Sequence, residues 1–191
     1  MESELKLKTA RTLKWNTIDK VSSQVLYAVT GVILANVLSK SDFGLVGAML
    51  VFQAFASLFV ESGFSSALIQ KKEPTETDYC SVLYFNLGMS IAIYAILWFC
   101  APLIADIFED ERLVGLSRVM FLSFILNATA IVQTNRLMKQ MTVAKIAIGN
   151  TIGLVASGIV GIWLAFAGFG AWAIVWQTIV LAAVKSGFLW L

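Results

Sequence analysis

Six apolar runs, each about twenty residues long or longer, follow one another along the chain with only short polar links between them. A hydrocarbon core about 30 Å thick takes roughly 20 helical residues to cross, so each run has the length of a membrane span. The runs cover about residues 17–38, 43–69, 79–103, 113–137, 146–166 and 171–191. Barrel strands are half that length and alternate in polarity, whereas these runs do not alternate. Lipid leaves backbone polar groups unsatisfied, so helices are the remaining solution. The expectation is an all-α polytopic membrane protein with six transmembrane helices over residues 17–191. Residues 1–16, with Glu2, Glu4, Lys6, Lys8, Arg11 and Lys14, form a polar cytoplasmic N-terminal segment and no signal peptide.

Composition closes off other classes. Hydrophobic residues make up 59% of the 191 and charged residues 14%, with mean hydropathy +0.82. A small soluble domain has too much surface to hide that surplus. The net charge of +2 gives no field to recruit nucleic acid. The chain has no histidine, the commonest general base and metal ligand, and no metal site or cofactor is expected. Phosphate-loop, metalloprotease and nucleophile-elbow motifs are all missing, and the links are too short to house an active site, so no enzyme is expected. Cys80 and Cys100 fall about 30 Å apart on one expected helix and cannot pair within it.

The links carry their own signals. Ser41 or Asp42 is placed to cap the second helix. Pro74 stops that helix, and Thr75 with Asp78 forms a capping-box pattern before the third. Gly168 and Gly170 read as a tight turn before the sixth. Lys20, Lys71, Lys72, Arg136, Lys139, Lys145 and Lys185 sort to one side of the membrane, and Lys40 and Arg112 to the other. The basic side is cytoplasmic, so both termini are inside.

Within the spans, polar residues recur at helical spacing. Asn16, Lys20 and Gln24 form one row; Gln53, Ser57, Glu61 and Ser65 form a second; Ser123, Asn127 and Asn135, near Gln133, form a third. Polar atoms facing lipid are costly, so these rows point toward other helices or a wet cavity. Lys20, Gln24, Gln53, Ser57, Glu61, Asn127 and Asn135 are therefore the cavity candidates. Glu61 is the sharpest of them, as an ionisable group within a span, balanced by the plain reading that it reaches headgroup water. Lys185 reads as an interfacial anchor. Gly149, Gly153, Ser157 and Gly161 read as a packing seam.

Several motifs together resemble the start of bacterial polysaccharide exporters. They are the stretch from Ser41-Asp42-Phe43-Gly44 to Ala48, that from Phe59-Val60-Glu61-Ser62-Gly63-Phe64 to Gln70, Ala101-Pro102-Leu103-Ile104-Ala105-Asp106, and Gly168-Phe169-Gly170-Ala171-Trp172-Ala173. The chain resembles Wzx-type flippases of the MOP superfamily, which also holds MATE exporters. The resemblance implies one six-helix lobe of a two-lobe transporter in the bacterial inner membrane. It implies movement of an undecaprenyl-pyrophosphate-linked oligosaccharide across that membrane, with membrane lipids and a C-terminal lobe as partners. Family members are over twice this length, so a chain stopping at Leu191 looks like the N-terminal lobe only. Arg11 and Lys14, below Lys20, are candidates to meet the pyrophosphate on entry, against the plainer reading of positive-inside topology. A cation-coupled small-solute or drug exporter of MATE-like architecture, with Glu61 as coupling carboxylate, is the alternative.

Overall fold

The computed structural model describes residues 2–60, 68, 71, 74–140 and 142–191, with side chains except those of 2–13 and 58–60. Every element among the described residues is a helix: α1 (Glu2–Val37), α2 (Lys40–Val60), α3 (Glu76–Ile107), α4 (Arg112–Phe121), α5 (Ser123–Lys139), α6 (Val143–Phe166) and α7 (Trp172–Trp190). Five stretches are long and apolar enough to cross a membrane: Lys14–Val37, Glu76–Ile107, Arg112–Lys139, Val143–Phe166 and Trp172–Trp190. The chain is a polytopic all-α membrane protein. The expected second span begins as α2, and most of its residues from 61 to 69, Glu61 among them, lie outside the described residues.

Capping chemistry sets the boundaries. Thr75 closes the start of α3 with a capping box, its hydroxyl taking the Asp78 N–H and the Asp78 carboxylate taking the Thr75 N–H at 2.8 Å. The cap of α2 is Ser39 rather than Ser41 or Asp42. Its hydroxyl accepts the Asp42 N–H at 3.1 Å and donates to Asp42 Oδ2 at 2.7 Å. Asp42 thus occupies the third position of the helix, where a carboxylate answers the cap. Two helices end alike. In α6 the Phe169 N–H returns to Leu164 O and the Gly168 N–H to Ala165 O, with Gly168 at φ 85°. In α3 the Asp110 N–H returns to Ala105 O and the Glu109 N–H to Asp106 O, with Glu109 at φ 53°. Both are Schellman turns, which need a left-handed residue just past the cap.

The expected fourth span is two helices. At Leu122, with no proline or glycine beside it, the backbone tightens: the Leu122 N–H bonds Val119 O and the Ile125 N–H bonds Leu122 O, each at 3.1 Å. The tighter turn stacks Phe121 on Phe124 at 6.0 Å between ring centres, and both are buried. Hydropathy is blind to such a step because both halves are apolar.

Packing divides the helices into two groups joined by α7. In one, α1 lies along α6; in the other, α2, α4 and α5 gather around α3. α7 packs on α6, α5 and α4 and holds the groups together. The largest core cluster joins Leu45, Val46 and Met49 of α2 to Leu113, Leu116 and Met120 of α4 and Val175 of α7. A smaller one joins Leu34 and Leu38 to Leu164 and Ala173. Along α6, Gly149, Gly153, Ser157 and Gly161 are all buried. Their small size lets α7 approach: a Cβ on Gly153 would stand 3.2 Å from Leu181, and one on Gly161 would stand 3.0 Å from Gln177 Oε1.

Polar contacts mark the two ends of the bundle. At one end Lys71 pairs with Asp78 at 2.6 Å, Arg136 pairs with Glu76 at 2.7 Å, and Lys139 donates to the Lys71 carbonyl. At the other, Arg112 meets Asp110 at 2.7 Å, Ser41 at 3.2 Å and Asp42 at 3.8 Å. Lys71, Arg136 and Lys139 therefore share an end, as their sorting by sequence required, and Arg112 marks the opposite one.

Candidate functional site: a polar cavity beside the first helix

Helices α1 and α2 are neighbours in sequence, yet α1 leans on α6 and stands off from α2. The gap between them is a cavity of about 990 Å³, walled by α1, α2, α5, α6 and α7. Three rows of polar residues meet there. α1 presents Asp19, Lys20, Ser23 and Gln24; α2 presents Gln53; α5 presents Asn127. α6 adds Asn150, and α7 adds Gln177, Thr178 and Lys185.

The wall is graded from end to end. The charged groups Asp19, Lys20 and Lys185 lie at the end shared with Arg136 and Glu76. The opposite end is lined by Leu34, Phe43, Val46 and Ile174. Between them the lining is rich in carboxamides, Gln24, Gln53, Asn127 and Gln177, with Asn150 at the charged end. A carboxamide both donates and accepts hydrogen bonds without carrying charge. Gln53 Oε1 is buried with no hydrogen-bond partner among the described residues.

The carboxylate at the mouth is held in place. Asn150 Nδ2 donates to both oxygens of Asp19, at 3.1 and 3.3 Å, and the Ser23 hydroxyl reaches Oδ1 at 3.4 Å. The Asn150 bonds tie α1 to α6 and fix one side of the opening. Lys185 faces Asp19 electrostatically, and its stem rises beside Gly153, where a Cβ would stand 3.6 Å from Lys185 Cβ. Lys185 is thus part of the cavity wall.

Of the residues singled out by sequence, the structure brings Lys20, Gln24, Gln53 and Asn127 to one cavity. Ser57 stands outside the lining, its hydroxyl returned to Ala54 O at 2.8 Å. Asn135 also stands outside, buried between helices with Nδ2 unpartnered among the described residues. Lys14 is exposed on α1 away from the wall, and the side chains of Arg11 and Glu61 lie outside the described set. Sequence reasoning missed Asp19, Asn150, Gln177 and Thr178. Gln24 and Gln53 repeat the spacing of their rows, whereas Asn150 beside Thr151 and Gln177 beside Thr178 belong to no such row. Among the described residues no cluster of three carboxylate or thiol side chains could hold a metal ion.

Helices of membrane-crossing length thus surround a graded polar cavity. The chain belongs to the polysaccharide biosynthesis protein family, whose model matches residues 33–191. It is 30% identical over 176 residues to the succinoglycan biosynthesis transport protein ExoT of Rhizobium meliloti, covering 92% of this chain and 35% of that protein. It is 27% identical to the teichuronic acid biosynthesis protein TuaB of Bacillus subtilis, covering 73% and 29%. With the lipopolysaccharide biosynthesis protein WzxC of Escherichia coli it shares 27% identity, covering 63% and 25%. The chain thus spans about a third or less of the curated relatives it matches. No solved structure gives a significant match.

Proposed function

We propose that this chain forms one wall of a passage through which a lipid-linked oligosaccharide crosses the bacterial inner membrane. The observation that carries the reading is the convergence of Lys20, Gln24, Gln53 and Asn127 on a single cavity of about 990 Å³. Sugar hydroxyls cannot enter hydrocarbon without replacement hydrogen bonds. The carboxamides supply them, while the lysines at the charged mouth meet the phosphates of an undecaprenyl-pyrophosphate carrier. Arg11 and Lys14, one to three turns before Lys20 on α1, draw that headgroup toward the opening. In this reading the charged mouth faces the cytoplasm, both termini are cytoplasmic, α2 completes six spans, and a second lobe closes the other side of the cavity. The relatives are named for transport and biosynthesis, and the reading assigns this chain no reaction of its own.

The test uses the whole protein in cells that depend on it. Gln53→Leu and Asn127→Leu each remove a hydrogen bond worth about 1 kcal/mol, or about fivefold in rate at the step that uses it. Surface polysaccharide should fall by about that factor per substitution while the amount of protein in the membrane is unchanged. Normal export by the double variant would refute the passage. An impermeant amine reagent should label Lys40 from outside the inner membrane and leave Lys139 unlabelled, and the reverse pattern would overturn the orientation.

A further inference from the structure

Arg118 is a cation without an acid. It lies on α4, six residues past Arg112 and thus about 9 Å along the helix, within a stretch long and apolar enough to cross the membrane. Among the described residues it makes no hydrogen bond and no ion pair, and its Nε is buried unpartnered. Its guanidinium stacks on the Trp98 ring at 4.4 Å, and Trp98 in turn meets Tyr94 at 5.8 Å. The stacking satisfies the charge in part but leaves the N–H donors free. Neither α3 nor α4 contributes to the polar cavity, so this arginine has no part in the passage. Trp98 is partly exposed, with Phe99 and Leu103 more exposed around it. The pair therefore opens on the outer surface of the bundle, near the end marked by Arg112.

An arginine on an aromatic shelf, with free N–H donors on the outer surface of the bundle, is built to take a phosphate. The kind of lipid follows from the charges around it. That end of the bundle holds Asp42, Asp106, Glu109, Asp110 and Glu111 against Lys40, Arg112 and Arg118. The acidic excess disfavours a headgroup with net negative charge and favours one that carries an ammonium beside its phosphate. We propose that Arg118 and Trp98 form a binding site for one zwitterionic phospholipid, with the phosphate on the guanidinium and the amine in the field of the acidic link 106–111.

Native mass spectrometry of the whole purified protein, given equal phosphatidylethanolamine and phosphatidylglycerol, tests this. The wild type should retain one phosphatidylethanolamine several times more often than phosphatidylglycerol. Arg118→Gln should lower that occupancy about fivefold or more, whereas Lys145→Gln, at the other end, should leave it unchanged. Equal retention by wild type and Arg118→Gln, or a preference for phosphatidylglycerol, would overturn the site. Asp106→Asn with Glu111→Gln leaves the shelf intact and guards against a misfolded Arg118 variant. It should erase the preference between the two lipids, and an unchanged preference would overturn the charge argument.

Discussion

The turn between α6 and α7 offers a controlled comparison, because two glycines within it share a backbone problem and differ in surroundings. Gly168 and Gly170 both hold positive φ, at 85° and 56°. An alanine at either site takes on left-handed strain of about 1 kcal/mol. A Cβ on Gly168 would meet nothing within 4 Å, so Gly168→Ala should cost about that amount and no more. A Cβ on Gly170 would stand 3.0 Å from Asp42 Oδ1 and 3.3 Å from its Cγ. The Asp42 carboxylate would have to move, and with it the hydrogen bond it accepts from the Ser39 hydroxyl at 2.7 Å, worth about 1 kcal/mol more. Gly170→Ala should therefore cost about 2 kcal/mol, twice the loss at Gly168. Unfolding in mixed micelles, titrated with a denaturing detergent and followed by tryptophan fluorescence, measures both. In an Asp42→Ala background the Gly170→Ala loss should fall back to about 1 kcal/mol, because the carboxylate that clashes and its bond from Ser39 are already gone. Equal losses for the two alanines in the parent chain would refute the contact between this turn and the start of α2.

Other outcomes follow from the same geometry. Glu109 occupies a left-handed position that glycine fills at the end of α6, so Glu109→Gly should stabilise the protein by about 0.5–1 kcal/mol in the same unfolding assay; a loss would contradict the turn. Gly153→Leu forces a branched side chain against Leu181 Cδ1 at 3.2 Å and the Leu181 carbonyl at 3.4 Å, and should cost about 1–3 kcal/mol or more. An unchanged midpoint there would mean that α6 and α7 are further apart. The Arg112 side chain, then its backbone N–H, bonds the Asp110 carboxylate and holds it below the ordinary carboxylate range. A lowered folded value stabilises above the unfolded pKa of about 4 and is lost as pH falls through the folded one. Protection of the Arg112 amide from hydrogen exchange, relative to its intrinsic rate, should thus fall below about pH 4, and Asp110→Asn should abolish that dependence.

Hydropathy located the apolar stretches because crossing lipid demands length, and length is written directly in the sequence. The Thr75–Asp78 cap was legible for a similar reason, since its partners sit three residues apart. The cap of α2 was misplaced by two residues or more because Ser39, Ser41 and Asp42 offer the same chemistry within one turn. Rotation about a helix axis was only partly legible. The row Lys20 and Gln24 faces the cavity, but Ser123 and Asn135, in register with Asn127, turn into packed interior. Which polar residue meets a cavity and which meets a neighbour depends on the other helices. Asp19 illustrates this: its partner Asn150 lies 131 positions away, and no local spacing announces the pair.

The place of α7 has a consequence for how the molecule is made. Synthesis releases the earlier helices first, and before α7 emerges they have two separate sets of partners, α1 with α6 and α3 with α2, α4 and α5. Between those sets α6 only grazes α5. The chamber that divides them therefore has no fixed width until the last described helix slots in. A ribosome stalled short of Trp172 would leave two loosely tethered clusters in the bilayer, each partly assembled and neither enclosing anything.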